Sequence, residues 1–122
     1  MPEHGGRILV IDDDFDFRES LGYVLSDSGY EVLSATDGEE GLSRLRTGPR
    51  PCVILLDLMM PGMNGWQFRA AQMQDAGLRS IPVVVLSGDA RAEEEARALG
   101  AEGCLRKPVP LDALLESIAR FC

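Results

Sequence analysis

Three short stretches of this chain are almost wholly apolar and rich in β-branched residues: Ile8–Ile11, Val53–Leu56 and Val83–Leu86. A strand with one wet face alternates apolar and polar side chains. An uninterrupted apolar run is what a strand covered on both faces of a parallel sheet requires. Weaker strands are predicted at Glu31–Ala35 and Cys104–Arg106.

Helical patterns fill the intervals. Phe17, Leu21, Val24, Leu25 and Ser28 fall on one stripe of a helix, with Asp14 or Asp16 as its N-cap and Gly29 as its stop. Leu42 and Leu45 mark a second helix after Thr36-Asp37. Asn64 is placed to cap a third, carrying Trp66, Phe68, Ala70 and Met73. Ala92, Ala96 and Leu99 give a fourth with a thin apolar face, ending at Gly100. Leu111, Leu114, Leu115, Ile118 and Phe121 give a strong fifth, beginning near Pro110. The whole reads as a (βα)5 chain of the α/β class. Right-handed crossovers then wind it into a doubly wound, five-stranded parallel sheet, with expected strand order 2-1-3-4-5.

The length of 122 residues suits one domain with a sizeable core. Residues 1–6 are expected to form a flexible leader, containing the only histidine, His4, as a solvated tail residue. The folded domain is expected over 7–122. A net charge of −8 disfavours direct contact with nucleic acid, whose phosphates need a basic surface. No apolar run reaches membrane-spanning length, so no membrane contact is expected. Cys52, Cys104 and Cys122 are odd in number and widely spaced. They suit neither a disulfide framework nor a zinc site, which makes a reducing cytoplasm the expected location. On this reading Cys52 is a small strand residue and Cys122 a frayed terminus.

In such a sheet, sites form at the carboxyl ends of the strands. Strand 1 runs out in Asp12-Asp13-Asp14, strand 3 in Asp57, strand 4 in Ser87 and strand 5 in Lys107-Pro108. Lys107 is the only lysine among 12 basic residues, a compact ammonium in a chain that otherwise uses arginine. Clustered carboxylates repel unless a counter-charge joins them, and Mg2+ with oxygen ligands suits an open acidic site. Asp12, Asp13 and Asp57 would surround it. Asp57, following a buried run, is placed as an acceptor nucleophile. Ser87 and Lys107 are placed to donate to phosphoryl oxygens. Asp14 is assigned to helix capping, and Glu93-Glu94-Glu95 to a solvated helix face.

Four segments in order resemble the response-regulator receiver of two-component signalling, over roughly Arg7 to Phe121. They are Ile8–Asp13, Leu55–Gly65, Val85–Gly88 and Gly103–Pro108. The resemblance implies a flavodoxin-like receiver fold, with Asp57 as phosphoacceptor and Asp12, Asp13 and the Met59 backbone carbonyl serving a magnesium ion. It also implies Ser87 as switch hydroxyl, Lys107 as phosphate-binding lysine and a cis peptide between Lys107 and Pro108. The implied donor is a histidine kinase or a histidine phosphotransfer protein. The implied output face is helix 4, strand 5 and helix 5, in a monomer or weak dimer that catalyses only its own phosphotransfer and dephosphorylation. Two positions depart from the family. Cys104 stands where an aromatic usually reports phosphorylation, and Val109 replaces the aromatic that often follows the Lys-Pro pair.

Two other readings stay open on sequence. In a haloacid-dehalogenase-like phosphatase, Asp12-x-Asp14 would supply the nucleophile, though Asp57 would then have no role and no later acidic pair completes the metal site. A pseudo-receiver would keep the fold without the chemistry, which the presence of all five polar residues argues against. A nucleotide-binding domain lacks its Gly-rich loop after strand 1.

Overall fold

The computed structural model describes residues 6–122; the leader's residues 1–5, His4 among them, lie outside the described residues. Five parallel strands, β1 (Arg7–Ile11), β2 (Glu31–Ala35), β3 (Val53–Asp57), β4 (Val83–Ser87) and β5 (Gly103–Arg106), lie in the order β2-β1-β3-β4-β5. Five helices alternate with them: α1 (Phe15–Asp27), α2 (Gly38–Thr47), α3 (Gly65–Met73), α4 (Ala92–Ala98) and α5 (Leu111–Ala119). The expected topology is therefore the observed one.

Period-two alternation divides the core. Ile8, Val10, Val53, Leu55, Val84 and Leu86 point to the layer of α1 and α5, where Leu21, Leu25, Leu114 and Ile118 meet them. Leu9, Ile11, Ile54, Leu56, Val83 and Val85 point the other way, toward Leu42, Leu45, Phe68 and Ala96 of α2, α3 and α4. Every residue of β3 and β4 is buried, which accounts for their unbroken apolar runs.

Caps set where the helices begin. The Asp14 carboxylate accepts from Phe17 N at 3.1 Å, which decides between the two candidate caps of α1. Asp37 caps α2 through Glu40 N at 2.9 Å. Asn64 and Gln67 form a reciprocal capping box at the start of α3. Gly65 follows because a Cβ there would lie 2.6 Å from the Asp57 carbonyl oxygen and 2.7 Å from Leu58 Cα. Only glycine lets α3 start so close to the end of β3.

Two expectations are corrected. On α3 only Phe68 of the predicted face is buried. Trp66, Ala70 and Met73 are exposed, and the inward positions belong to Arg69 and Gln72. Each nitrogen of Arg69 and both amide atoms of Gln72 have a partner. Arg69 donates to the carbonyls of Leu99 and Gly100 and to Gln72 Oε1, and Gln72 donates to the carbonyls of Leu78 and Ile81. Every one of the carbonyl partners lies outside α3, which is why periodicity alone assigns α3 the wrong face.

The second correction concerns the cysteines. Cys52 and Cys122 are joined by a disulfide across 70 positions, and Cys104 is the free thiol. The spacing hides this pairing. It arises because the entry to β3 and the exit from α5 arrive at the same end of the sheet.

Candidate functional site

Asp12 leaves β1 completely buried, with its amide donating to the Ala35 carbonyl of β2 at 3.1 Å. One of its carboxylate oxygens accepts from Asp14 N at 2.9 Å and the other from Lys107 Nζ at 2.8 Å. Its carbonyl accepts from Arg18 at 2.8 Å. Asp13 beside it is exposed. Asp57, only 7% exposed, closes β3 one strand away. Its carboxylate accepts a long 3.4 Å bond from the Met59 amide and lies 4.0 Å from Lys107 Nζ.

Oxygens of Asp12, Asp13 and Asp57 all fall within 4.8 Å of one another. At an effective dielectric of about 20, each like-charge pair at that distance costs about 3 to 4 kcal/mol. Burial and then the neighbouring Asp12 charge push the Asp57 carboxyl up to about 6, against the opposing pull of Lys107. A single ammonium faces three carboxylates, so a hard divalent cation fits this donor set. Asp12, Asp13 and Asp57 are the side chains that could hold it.

Strand register brings the other two groups alongside. Asp57 pairs with Leu86 and Ser87 with Arg106, so Ser87 and Lys107 stand one step beyond on adjacent strands. The Ser87 hydroxyl is buried and accepts from Asp89 N at 3.1 Å, while its carbonyl accepts from Lys107 N at 2.9 Å. The Lys107–Pro108 peptide is cis. The Lys107 ammonium also sits 4.4 Å from the centre of the Phe17 ring, a cation–π contact that fixes its position. Sequence reasoning assigned Phe17 to packing and gave Arg18 no role. Neither contact has a local signal, since each depends on α1 lying across the rim.

The response regulator receiver domain matches this chain over residues 8–119. The chain belongs to that family. This receiver is 33% identical over 114 residues to protein PilH of Pseudomonas aeruginosa, covering 92% of this chain and 93% of that protein. It is 41% identical over 96 residues to the phosphate regulon transcriptional regulatory protein PhoB of Escherichia coli. That match covers 79% of this chain and 41% of the regulator, so the receiver spans about two fifths of PhoB. Among solved structures, chemotaxis response regulator CheY4 of Vibrio cholerae superposes with a TM-score of 0.87 at 32% identity, covering 98% of this chain and 100% of that one.

The departures noted in the sequence have definite places. Cys104 lies mid-strand opposite Val85, half-buried and packed toward α4, and burial followed by the Glu93 charge pushes its thiol up. Val109 packs against the α1–α5 layer. Neither side chain offers the large ring that the family usually carries there.

Proposed function

We propose that this receiver accepts a phosphoryl group on Asp57 from the phosphohistidine of a histidine kinase or a histidine phosphotransfer protein. The observation that carries the reading is the convergence of three carboxylates and the chain's single lysine on one rim, with a buried hydroxyl beside them. An Asp57 carboxylate oxygen attacks phosphorus, the bond from phosphorus to the donor's imidazole nitrogen breaks, and a mixed anhydride forms. Lys107 Nζ and the Ser87 hydroxyl donate to the phosphoryl oxygens as charge spreads over them. Asp12, Asp13, Asp57 and the Met59 carbonyl would hold a magnesium ion, which would supply the positive charge that three carboxylates and a phosphoryl group require. The receiver-family match over residues 8–119 favours Asp57 as nucleophile over the phosphatase reading, which would leave Asp57 without a role.

The product is a signal. Partner binding through α4, β5 and α5 is its output, and the receiver acts in the cytoplasm, turning over only its own phosphoryl group. Acetyl phosphate with Mg2+ should add the mass of one phosphoryl group to the wild type and none to Asp57→Asn, and chelation should abolish labelling. Equal labelling of both proteins, or turnover of a phosphomonoester substrate, would overturn the assignment.

A further inference from the structure

The end of the sheet opposite the acidic rim holds the Cys52–Cys122 bridge. Cys52 precedes β3, and its amide donates to the Arg7 carbonyl at 2.8 Å, which seats it beside the first residue of β1. Cys122 follows α5, and its amide donates to the carbonyl of fully buried Ile118 at 3.0 Å. These two anchors bring the cysteine Cα atoms to 5.5 Å, a separation a disulfide spans without backbone movement. The main chain runs directly over the bridge at Gly6. A Cβ there would lie 3.0 Å from Cys122 Cβ and 3.1 Å from Cys52 Sγ.

The open form is accommodated as well. Cys52 Sγ lies 3.1 Å from the Arg7 carbonyl oxygen, so a thiol hydrogen has an acceptor waiting. Cys122 is exposed, within reach of an exchanging thiol or disulfide. Of α5 only Leu114 and Ile118 are fully buried, and past Ile118 the half-buried Phe121 is the one further apolar anchor beside the bridge.

We propose that Cys52 and Cys122 form a reversible redox staple on α5. When closed, it ties the end of that helix to the entry of β3; when open, the helix end is released. Closure by a low-molecular-weight disulfide begins with the Cys122 thiolate attacking one of its sulfurs, breaking that S–S bond and expelling one thiol. The Cys52 thiolate then attacks the Cys122 sulfur of the mixed disulfide and expels the second thiol. Two electrons pass from the cysteines to the oxidant, and their two protons leave with the products. Cys104, half-buried on β5, stays outside the exchange. Given the reading of α5 as part of the partner face, redox state sets how firmly that face is held. Asp57 lies five residues along β3, about 17 Å away, so its chemistry should not respond.

The test equilibrates the whole chain in glutathione buffers of increasing reducing strength, without denaturant, then traps thiols by alkylation for intact-mass and peptide mapping. Oxidised protein should carry one alkylatable cysteine, Cys104, and millimolar reduced glutathione should expose two more while the fold persists. Reduction should lower Tm by about 10 °C and speed amide exchange at residues 116–121. Cys122→Ser should reproduce that lowered Tm with no redox response, whereas Cys104→Ser should leave the response intact. Acetyl phosphate labelling should agree within about twofold in both redox states, as expected for remote groups. Three free thiols after oxidation, a bridge through Cys104, or a bridge that resists thiols until the protein unfolds would each overturn the proposal. Thiol counting does not involve Asp57, so loss of labelling alone would count against the phosphoacceptor reading and not against the staple.

Discussion

The two ends of β3 are built on opposite principles. All five residues of the strand are buried, yet one end delivers Asp57 into a crowd of like charge and the other is closed by a covalent bond. At the acidic end the carboxyl is held up to about 6, a standing cost that only a cation or a proton relieves. At the other end, a bridge enclosing a long loop contributes about 2 to 4 kcal/mol, chiefly by restricting the unfolded chain. A reactive rim can stay frustrated because the strand that presents it is anchored elsewhere. The contrast separates two kinds of variant. Those at the rim should change chemistry and, where they remove one of the crowded carboxylates, raise stability. Those at the staple should lower stability and leave the chemistry alone.

The largest effect should come from Lys107→Arg. Its ammonium bonds Asp12 at 2.8 Å and stands 4.0 Å from Asp57, a place for a point donor rather than a planar fork. Labelling by acetyl phosphate should slow about 100-fold, the usual cost of losing one charge-stabilising donor. Tm should move little. A rate within threefold of wild type would detach Lys107 from the chemistry. Next in size, Asp13→Asn should weaken Mg2+ binding at least tenfold by calorimetry, because it removes the one exposed carboxylate of the trio. Unchanged affinity would remove Asp13 from the metal site.

How much of this contrast was legible in the residues differs between the two ends. The acidic rim was, because β3 and β4 announce themselves as apolar runs and whatever follows a parallel strand must reach the rim. Asp57 and Ser87 follow from that rule alone; Lys107 lies beyond the weaker strand β5 and stood out as the only lysine. The staple was not, since two cysteines 70 positions apart become neighbours only once the order of strands and the docking of α5 are known. Arg69 and Gln72 were hidden for a related reason. A polar residue is read as solvent-facing unless its partners are visible, and here they are carbonyls on other segments. Local pattern reports burial by apolar contact well. It is blind to burial by long-range hydrogen bonding.

A further effect, on stability, concerns pH. In metal-free protein the Asp57 carboxyl titrates at about 6, against 3.8 as its ordinary value. Between those values the folded state holds more protons than the unfolded chain, so this group's contribution makes stability fall as pH rises through that window. The full penalty is present above about pH 6 and absent below about pH 4. Asp57→Asn, measured by urea unfolding in chelator, should therefore be more stable than wild type by about 3 kcal/mol at pH 7.5. The gap should close toward pH 4, and saturating Mg2+ should narrow it at neutral pH. A constant gap across the range would mean that repulsion at this end of β3 is not its source.

The smallest expected effect is the movement of α4, and it carries the comparison from strand ends to helix ends. The helix has seven residues, buries only Ala92 and Ala96, and begins at Arg91 without a side-chain cap. Its other end is tethered, because Arg69 donates to the carbonyls of Leu99 and Gly100 at 3.1 and 2.8 Å. The Ser87 hydroxyl meanwhile holds the loop before the helix through Asp89 N at 3.1 Å. When a phosphoryl mimic on Asp57 recruits that hydroxyl, the loop loses its acceptor at the end of α4 that has least to hold it. Cys104 is too small to follow with a ring rotation, so the response should pass through residues 88–95 and fade at 97–100, where the Arg69 tether keeps its carbonyls. With beryllofluoride and Mg2+, amide exchange at 88–95 should change by a factor of about five, equivalent to about 1 kcal/mol of local stability. Arg69→Met should spread the change to the far end of the helix, since the carbonyls would lose their donor. Equal change along all of α4 in the wild type would show that Arg69 is no pivot. Change confined to residues 57–65 would show that the signal does not reach α4.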